Sequence, residues 1–257
     1  MGRLFFPDLT GLCLLTLSST GTCIVWAFSA CSPVVQDIAW RKEVIFSFYV
    51  TICIIGSIAA LIPTACTKAS GPKDSTWMPH VTLTHHPECE GFSGHELRLR
   101  GIGFCAGCTG LLTGALISIS LTAAYSAGAD PAQRAWILTE LGVAATLLGL
   151  LMPLSNSRSR LLRLVISASF VVGMTFILIG LDSQLRSIEV DSFIVLMALF
   201  WTFTRISLSQ FVHKRICTRC VLRCVQRETE AAVVASASRS AASQGPPGHG
   251  IVKERKK

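Results

Sequence analysis

Residues 9–36 contain no charged side chain, and the same holds for 44–67 and 101–129. Two shorter clean runs follow at 141–157 and 164–181, and a sixth, 192–212, is interrupted only by Arg205. A helix rises about 1.5 Å per residue, so roughly 20 residues cross a hydrocarbon core of about 30 Å. Lipid offers no hydrogen-bond partner to an open strand, so each run is predicted to be helical. The predicted fold is therefore all-α: a polytopic six-helix transmembrane bundle with a cytoplasmic His/Cys loop. Its spans fall at about 9–32, 44–66, 104–127, 135–156, 162–182 and 191–212, and the His/Cys loop at 68–103. This membrane domain covers residues 1–227. The remainder, 228–257, is rich in Ala, Ser and Gly, contains Gln244-Gly245-Pro246-Pro247-Gly248 and ends Lys253-Glu254-Arg255-Lys256-Lys257. Such a composition buries too little apolar surface to fold, so a disordered basic tail is expected.

The composition agrees. Of 257 residues 51% are hydrophobic and only 15% charged, where soluble domains carry about a quarter. The net charge of +8 is unevenly spread. With the N-terminus placed in the cytoplasm, four of the 23 basic residues (Arg41, Lys42, Arg134 and Arg186) fall in outer loops and the rest inside. Basic residues are retained on the cytoplasmic side, so both termini are assigned there, in the cell membrane. The charge is thereby explained by topology; the expected partner is the lipid bilayer and no nucleic acid is implied. Other subunits of a membrane complex, or further copies of the chain, are open as protein partners. Phe28-Ser29-Ala30-Cys31 faintly resembles a lipoprotein cleavage box, but the apolar run before it exceeds a signal h-region of about 7–15 residues, so a retained helix is expected.

The chemistry is concentrated between the second and third spans. The loop reads His85-His86-Pro87-Glu88-Cys89, then His95, then Cys105-Ala106-Gly107-Cys108-Thr109-Gly110, where the third span begins. Cys105 and Cys108 form a C-x2-C pair, the spacing at which two thiolates grip one ion. His86 stands three residues before Cys89, so His86, Cys89, Cys105 and Cys108 make two ligand pairs, a pattern for structural zinc. His85 and His95 are additional candidates. The loop's prolines and glycines argue against long regular structure, and a long loop without its own core is ordered more readily by a metal. Two other readings of the same residues stand: polar loop histidines with cysteines acting as small apolar side chains, and a redox dithiol.

A second cluster, His213, Cys217, Cys220 and Cys224, is spaced four, three and four, which forms one stripe on a helix. The sixth span is thus expected to continue as a helix, with Arg215, Arg219, Arg223 and Arg227 on another face. The thiol stripe is open to shared ligation with the first cluster, to lipidation, or to plain packing. Eight of the 11 cysteines fall on the cytoplasmic side, where reducing conditions disfavour disulfides. An iron–sulfur cluster, the alternative to zinc, prefers four thiolates and needs Cys217 or Cys220 to join.

The third span carries Gly103-x3-Gly107 and Gly110-x3-Gly114, read either as a tight helix seam or as generic packing. Arg205 is within snorkelling reach of the inner boundary. Glu140 sits near the outer end of the fourth span and Asp182 ends the fifth, so no mid-membrane charge marks an ion path. No H-E-x-x-H, P-loop, G-x-S-x-G or C-x-x-C-H motif is present, and no catalytic residue is assigned. A transporter or an accessory subunit of a membrane complex remains as a further class.

The stretch from His85 to Gly114 resembles a family of uncharacterised prokaryotic multi-pass membrane proteins, a domain of unknown function. Its members carry a His/Cys element before a Cys-Ala-x-Cys-Thr-Gly motif that opens a membrane helix. Here these are His86 and Cys89, then Cys105-Ala106-Gly107-Cys108-Thr109-Gly110. Bacterial members often have Arg at the position of Gly107, and the paired His85-His86 is closer to archaeal members. The resemblance implies a metal-binding membrane protein and brings no activity with it.

Overall fold

The computed structural model of the chain describes residues 8–30, 40–61, 82–83, 96–99, 102–129, 131–155 and 159–243. They form helices α1 (Leu9–Phe28), α2 (Arg41–Leu61), α3 (Ala106–Ser126), α4 (Ala135–Leu151), α5 (Arg160–Leu185) and α6 (Ile188–Ser243). Between α2 and α3 lie strands β1 (Thr82–Leu83), β2 (Glu96–Leu99) and β3 (Ile102–Cys105). Among the described residues six helical segments are long and apolar enough to cross a membrane, the last being Ile188–His213. The chain is an all-α, multi-pass membrane protein set in a lipid bilayer. The chain divides into two compact units, Met1–Lys214, which holds the six spans, and Arg215–Lys257, which holds the rest of α6. Helix α6 continues to Ser243, into the stretch that composition reads as disordered, where repeated alanines supply high helix propensity.

Local signals explain the helix ends. The Asp8 side chain accepts a hydrogen bond from the Gly11 N–H at 2.8 Å and so caps α1. The Ser159 hydroxyl oxygen accepts from the Leu162 N–H and caps α5 in the same way. Gly128, with φ of 103°, takes the left-handed turn that ends α3 just before Asp130-Pro131. Pro153 sits in a 3₁₀ turn, Met152–Leu154, that finishes α4.

The exterior of the six-span unit is apolar. Phe48, Leu116, Trp136, Leu196 and Phe203 are each more than half exposed. Large apolar groups facing outward around a bundle suit lipid and not water. Its interior is built around α5, against which α3 and α4 pack. Lipid tails are as apolar as leucine, so close packing and interhelical hydrogen bonds must hold such helices together. Both are present. A Cβ added to Gly114 would lie 2.6 Å from the Ala168 carbonyl oxygen, and one on Gly110 would meet the Leu164 carbonyl and Ser167. Gly142 and Gly173 meet in the same way across α4 and α5. The glycines at 110 and 114 thus form a helix seam, while a Cβ added to Gly107 would lie 3.9 Å from the Cys105 sulfur, an ordinary contact.

Polar pins cross the interior. The Tyr49 hydroxyl of α2 and the Thr175 hydroxyl of α5 are 2.9 Å apart, and Thr175 donates to the Ser118 hydroxyl of α3 at 2.7 Å. Trp201 of α6, fully buried, donates its indole N–H to the Ser18 carbonyl of α1 at 3.2 Å.

The three strands form one small sheet in the order β1-β3-β2. β1 runs parallel to β3 with Leu83 opposite Phe104, and β2 runs antiparallel with Glu96 opposite Cys105. The loop therefore contains regular pairing that its prolines and glycines conceal, because short two- and four-residue strands leave no periodic signature.

We predict that Gly114→Val lowers thermal stability in detergent, because the new side chain meets the Ala168 backbone, which cannot move aside; overpacking costs about 1–3 kcal/mol. Gly56→Ala, where no described residue lies within 4 Å, should leave the unfolding temperature unchanged or raise it.

Candidate functional site

The up-and-down path of the spans gives the bundle two ends. One carries the C-x2-C motif at the start of α3, and the other joins α1 to α2, α3 to α4 and α5 to α6.

At the motif end, β3 delivers Cys105 to the N-cap of α3, and Ala106 begins the helix. Thr109 holds this first turn by donating to the Cys105 carbonyl at 2.9 Å. Cys105 is buried and Cys108 half-buried. Both line a cavity of about 180 Å³ that His213 of α6 also lines. Arg163 and Ser167 of α5, and Arg205, Ser209 and Gln210 of α6, face the same space. Arg163 donates to the Ser155 carbonyl at 3.3 Å and lies within electrostatic range of Cys105. Arg205 is within electrostatic range of Cys108. Two thiols, an imidazole and two guanidinium groups thus share one cavity.

Three of the ten ligand candidates read from sequence therefore come together: Cys105, Cys108 and His213. His85, His86, Cys89 and His95 lie outside the described residues, as do the side chains of Cys217, Cys220 and Cys224. Among the described residues no three His, Cys, Asp or Glu side chains stand close enough to hold an ion by themselves. The sheet nonetheless ties the loop to the motif. β1 ends two residues before His85, β2 begins one residue after His95, and both pair with the strand that ends in Cys105.

Arg205 departs from expectation. It does not snorkel out: it is only 7% exposed, donates to the Ser167 hydroxyl at 2.7 Å, and stacks over the Phe170 ring with its guanidinium carbon 4.6 Å from the centroid. The helix face that carries it turns toward α5, which a count of residues from the boundary does not reveal.

The opposite end holds a cluster that sequence reasoning missed. Arg41, read as an outer-loop residue, is buried at the start of α2 and pairs through one nitrogen, Nη1, with both Asp182 of α5 and Asp191 of α6. The Tyr125 hydroxyl of α3 donates to Asp182, and Lys42 donates to the Tyr125 carbonyl at 3.0 Å while its ammonium lies 3.6 Å above the Tyr125 ring. Among the described residues Asp191 Oδ1 and Arg41 Nε are buried without a hydrogen-bond partner. Glu140, also at this end, accepts from the Trp26 indole at 2.6 Å. The signal in the sequence is faint: acids at the ends of the fifth and sixth spans and a base at the start of the second.

Breaking this cluster on one side strands buried charge. We predict that Arg41→Met alone costs about 3–5 kcal/mol of stability, whereas adding Asp182→Asn and Asp191→Asn to it restores much of the loss, because an apolar or neutral replacement of the whole set leaves no uncompensated ion. Unfolding of the variants in mixed micelles measures both, and equal losses for the single and the triple variant would contradict the assignment.

Comparison of the chain with protein-family models, with curated proteins and with solved structures finds no match to any of them.

Proposed function

We propose that this multi-pass protein binds a transition metal, zinc by preference, at its motif end, and that the ion clamps the loop between α2 and α3 to the bundle. The ligands are His86, Cys89, Cys105 and Cys108, with His213 within the same cavity as the two motif cysteines. The observation that carries this reading is the convergence of Cys105, Cys108 and His213 on one cavity, although His213 is 105 residues from Cys108 in the chain. The strand pairing supports it, since both flanks of the His85–His95 stretch are hydrogen-bonded to β3. Electrostatics support it too: thiolate ligands bring negative charge into a place shielded from water, and Arg163 and Arg205 offset that charge.

The role is structural and not catalytic in this proposal. Structural zinc contributes about 10–16 kcal/mol in small domains, enough to order a loop with little core of its own. We place the motif end in the cytoplasm, from the distribution of basic residues, and the chain in the cell membrane of a prokaryote, from the motif resemblance.

A second reading is favoured by one observation. Arginines lining the same cavity as a C-x2-C pair at a helix N-terminus are what a reversible dithiol needs. Metal content separates the two. Tag-free protein is expected to carry about one zinc per chain by elemental analysis, to lose it in the Cys105→Ser, Cys108→Ser double variant, and to lose thermal stability with a chelator. Metal-free protein of full stability, or a double variant that keeps its zinc, would overturn the metal reading. Metal-free protein with two thiols that alkylate only after reduction would establish the dithiol instead.

A further inference from the structure

We propose that the motif-end cavity binds a phosphate-type oxyanion, held by Arg205. The inference does not rest on the metal. It starts from an imbalance of charge. Arg205 is 7% exposed, so its guanidinium has left water. Its Nη2 donates to the Ser167 hydroxyl, a neutral acceptor, and its Nη1 is buried with no hydrogen-bond partner among the described residues. Among the described residues no carboxylate pairs with it. Cys108, in electrostatic range, leaves Nη1 without an acceptor, and a buried guanidinium nitrogen that makes no hydrogen bond is costly; methionine or leucine would fill the same volume without that penalty.

The cavity supplies the place for the missing anion. Arg205 lines it, and Arg163 reaches it from α5. Ser209, Gln210 and His213 add further polar groups along one side of α6. Two guanidinium groups match a dianion better than a carboxylate of single charge. A phosphate monoester carries about −1.5 to −2 at neutral pH and offers three acceptor oxygens. Guanidinium is the side chain suited to binding such oxygens in pairs. Size narrows the class further. A volume of about 180 Å³ equals roughly six waters in the liquid and falls below the about 300–1,000 Å³ of sites for drug-sized ligands. It admits a phosphate group with a few attached atoms. The apolar part of the wall, Leu111, Ile206 and Val212, suits the carbon side of such a molecule.

The phosphate is either free in solution or the headgroup of a membrane lipid, and the test distinguishes them. Full-length protein is placed in nanodiscs of phosphatidylcholine alone, and binding of inorganic phosphate is measured by equilibrium dialysis, with and without prior chelation of metal. In parallel, nanodiscs doped with phosphatidate are examined by native mass spectrometry for lipid retained on the protein. Saturable binding of one phosphate per chain, unchanged by chelation, establishes the site for a soluble anion. Retention of one phosphatidate with no binding of inorganic phosphate establishes it for a headgroup. In either case Arg205→Met should weaken binding by at least about tenfold, the range expected for lost hydrogen bonds to a charged group. Arg205→Lys, which keeps the charge and loses the paired geometry, should fall between. Ser209→Ala, a smaller change, should weaken binding without altering the unfolding temperature. The proposal is overturned if neither probe binds, or if a folded Arg205→Met protein binds as tightly as the native one.

Discussion

The close approach of α3 and α4 to α5, where backbone meets backbone through glycine, is the constraint on which the rest of the structure depends. Without a hydrophobic force between helices in lipid, contact at this distance has to come from shape. Gly110 and Gly114 seat α3 against Leu164, Ser167 and Ala168, and that seat determines where the start of α3 lies. The two motif cysteines stand at that start, one turn before Gly110, so the packing of the membrane interior places Cys105 and Cys108 beside Arg163 and Ser167. The same α5 reaches the other end of the bundle, where Asp182 gathers Arg41 and Tyr125. One helix thus aligns both polar sites, and a shift in its register would disturb both.

The two ends are electrostatic opposites. At the Arg41 end, two carboxylates surround one guanidinium, a phenol hydroxyl donates to one of them, and an ammonium group lies nearby. These contacts join α2, α3, α5 and α6, which suits a clasp. At the motif end the described charges are cationic, the acceptors are thiols and hydroxyls, and an open volume separates them. A site with cationic groups around an open volume suits the receipt of a ligand; a set of groups bonded to one another suits holding the helices together. This contrast is why the metal and the oxyanion are both assigned to the motif end and neither to the buried acids.

Much of the fold was legible before any coordinates. Six runs of span length, free of charge, admit few alternatives in lipid, and the helix opened by Cys105-Ala106-Gly107-Cys108 begins where the motif places it. Hydropathy could not show which face of a helix turns inward. Arg205, read from its distance to the boundary, and Arg41, read as a loop residue, are both buried because their partners lie far away in the chain, on α5 and α6. Charges that compensate each other across 141 or 150 residues leave no local pattern. The small sheet escaped for a different reason: strands this short carry no alternation to read. His213, by contrast, was picked out by its helical spacing, and it lines the cavity of the motif cysteines.

X-ray absorption at the zinc edge, on tag-free protein in nanodiscs, tests the central claim most directly. The account predicts a shell of sulfur at about 2.3 Å together with nitrogen at about 2.0–2.1 Å, the signature of thiolates and imidazole on one ion. An absent zinc edge, or a shell of oxygen and nitrogen without sulfur, would contradict it.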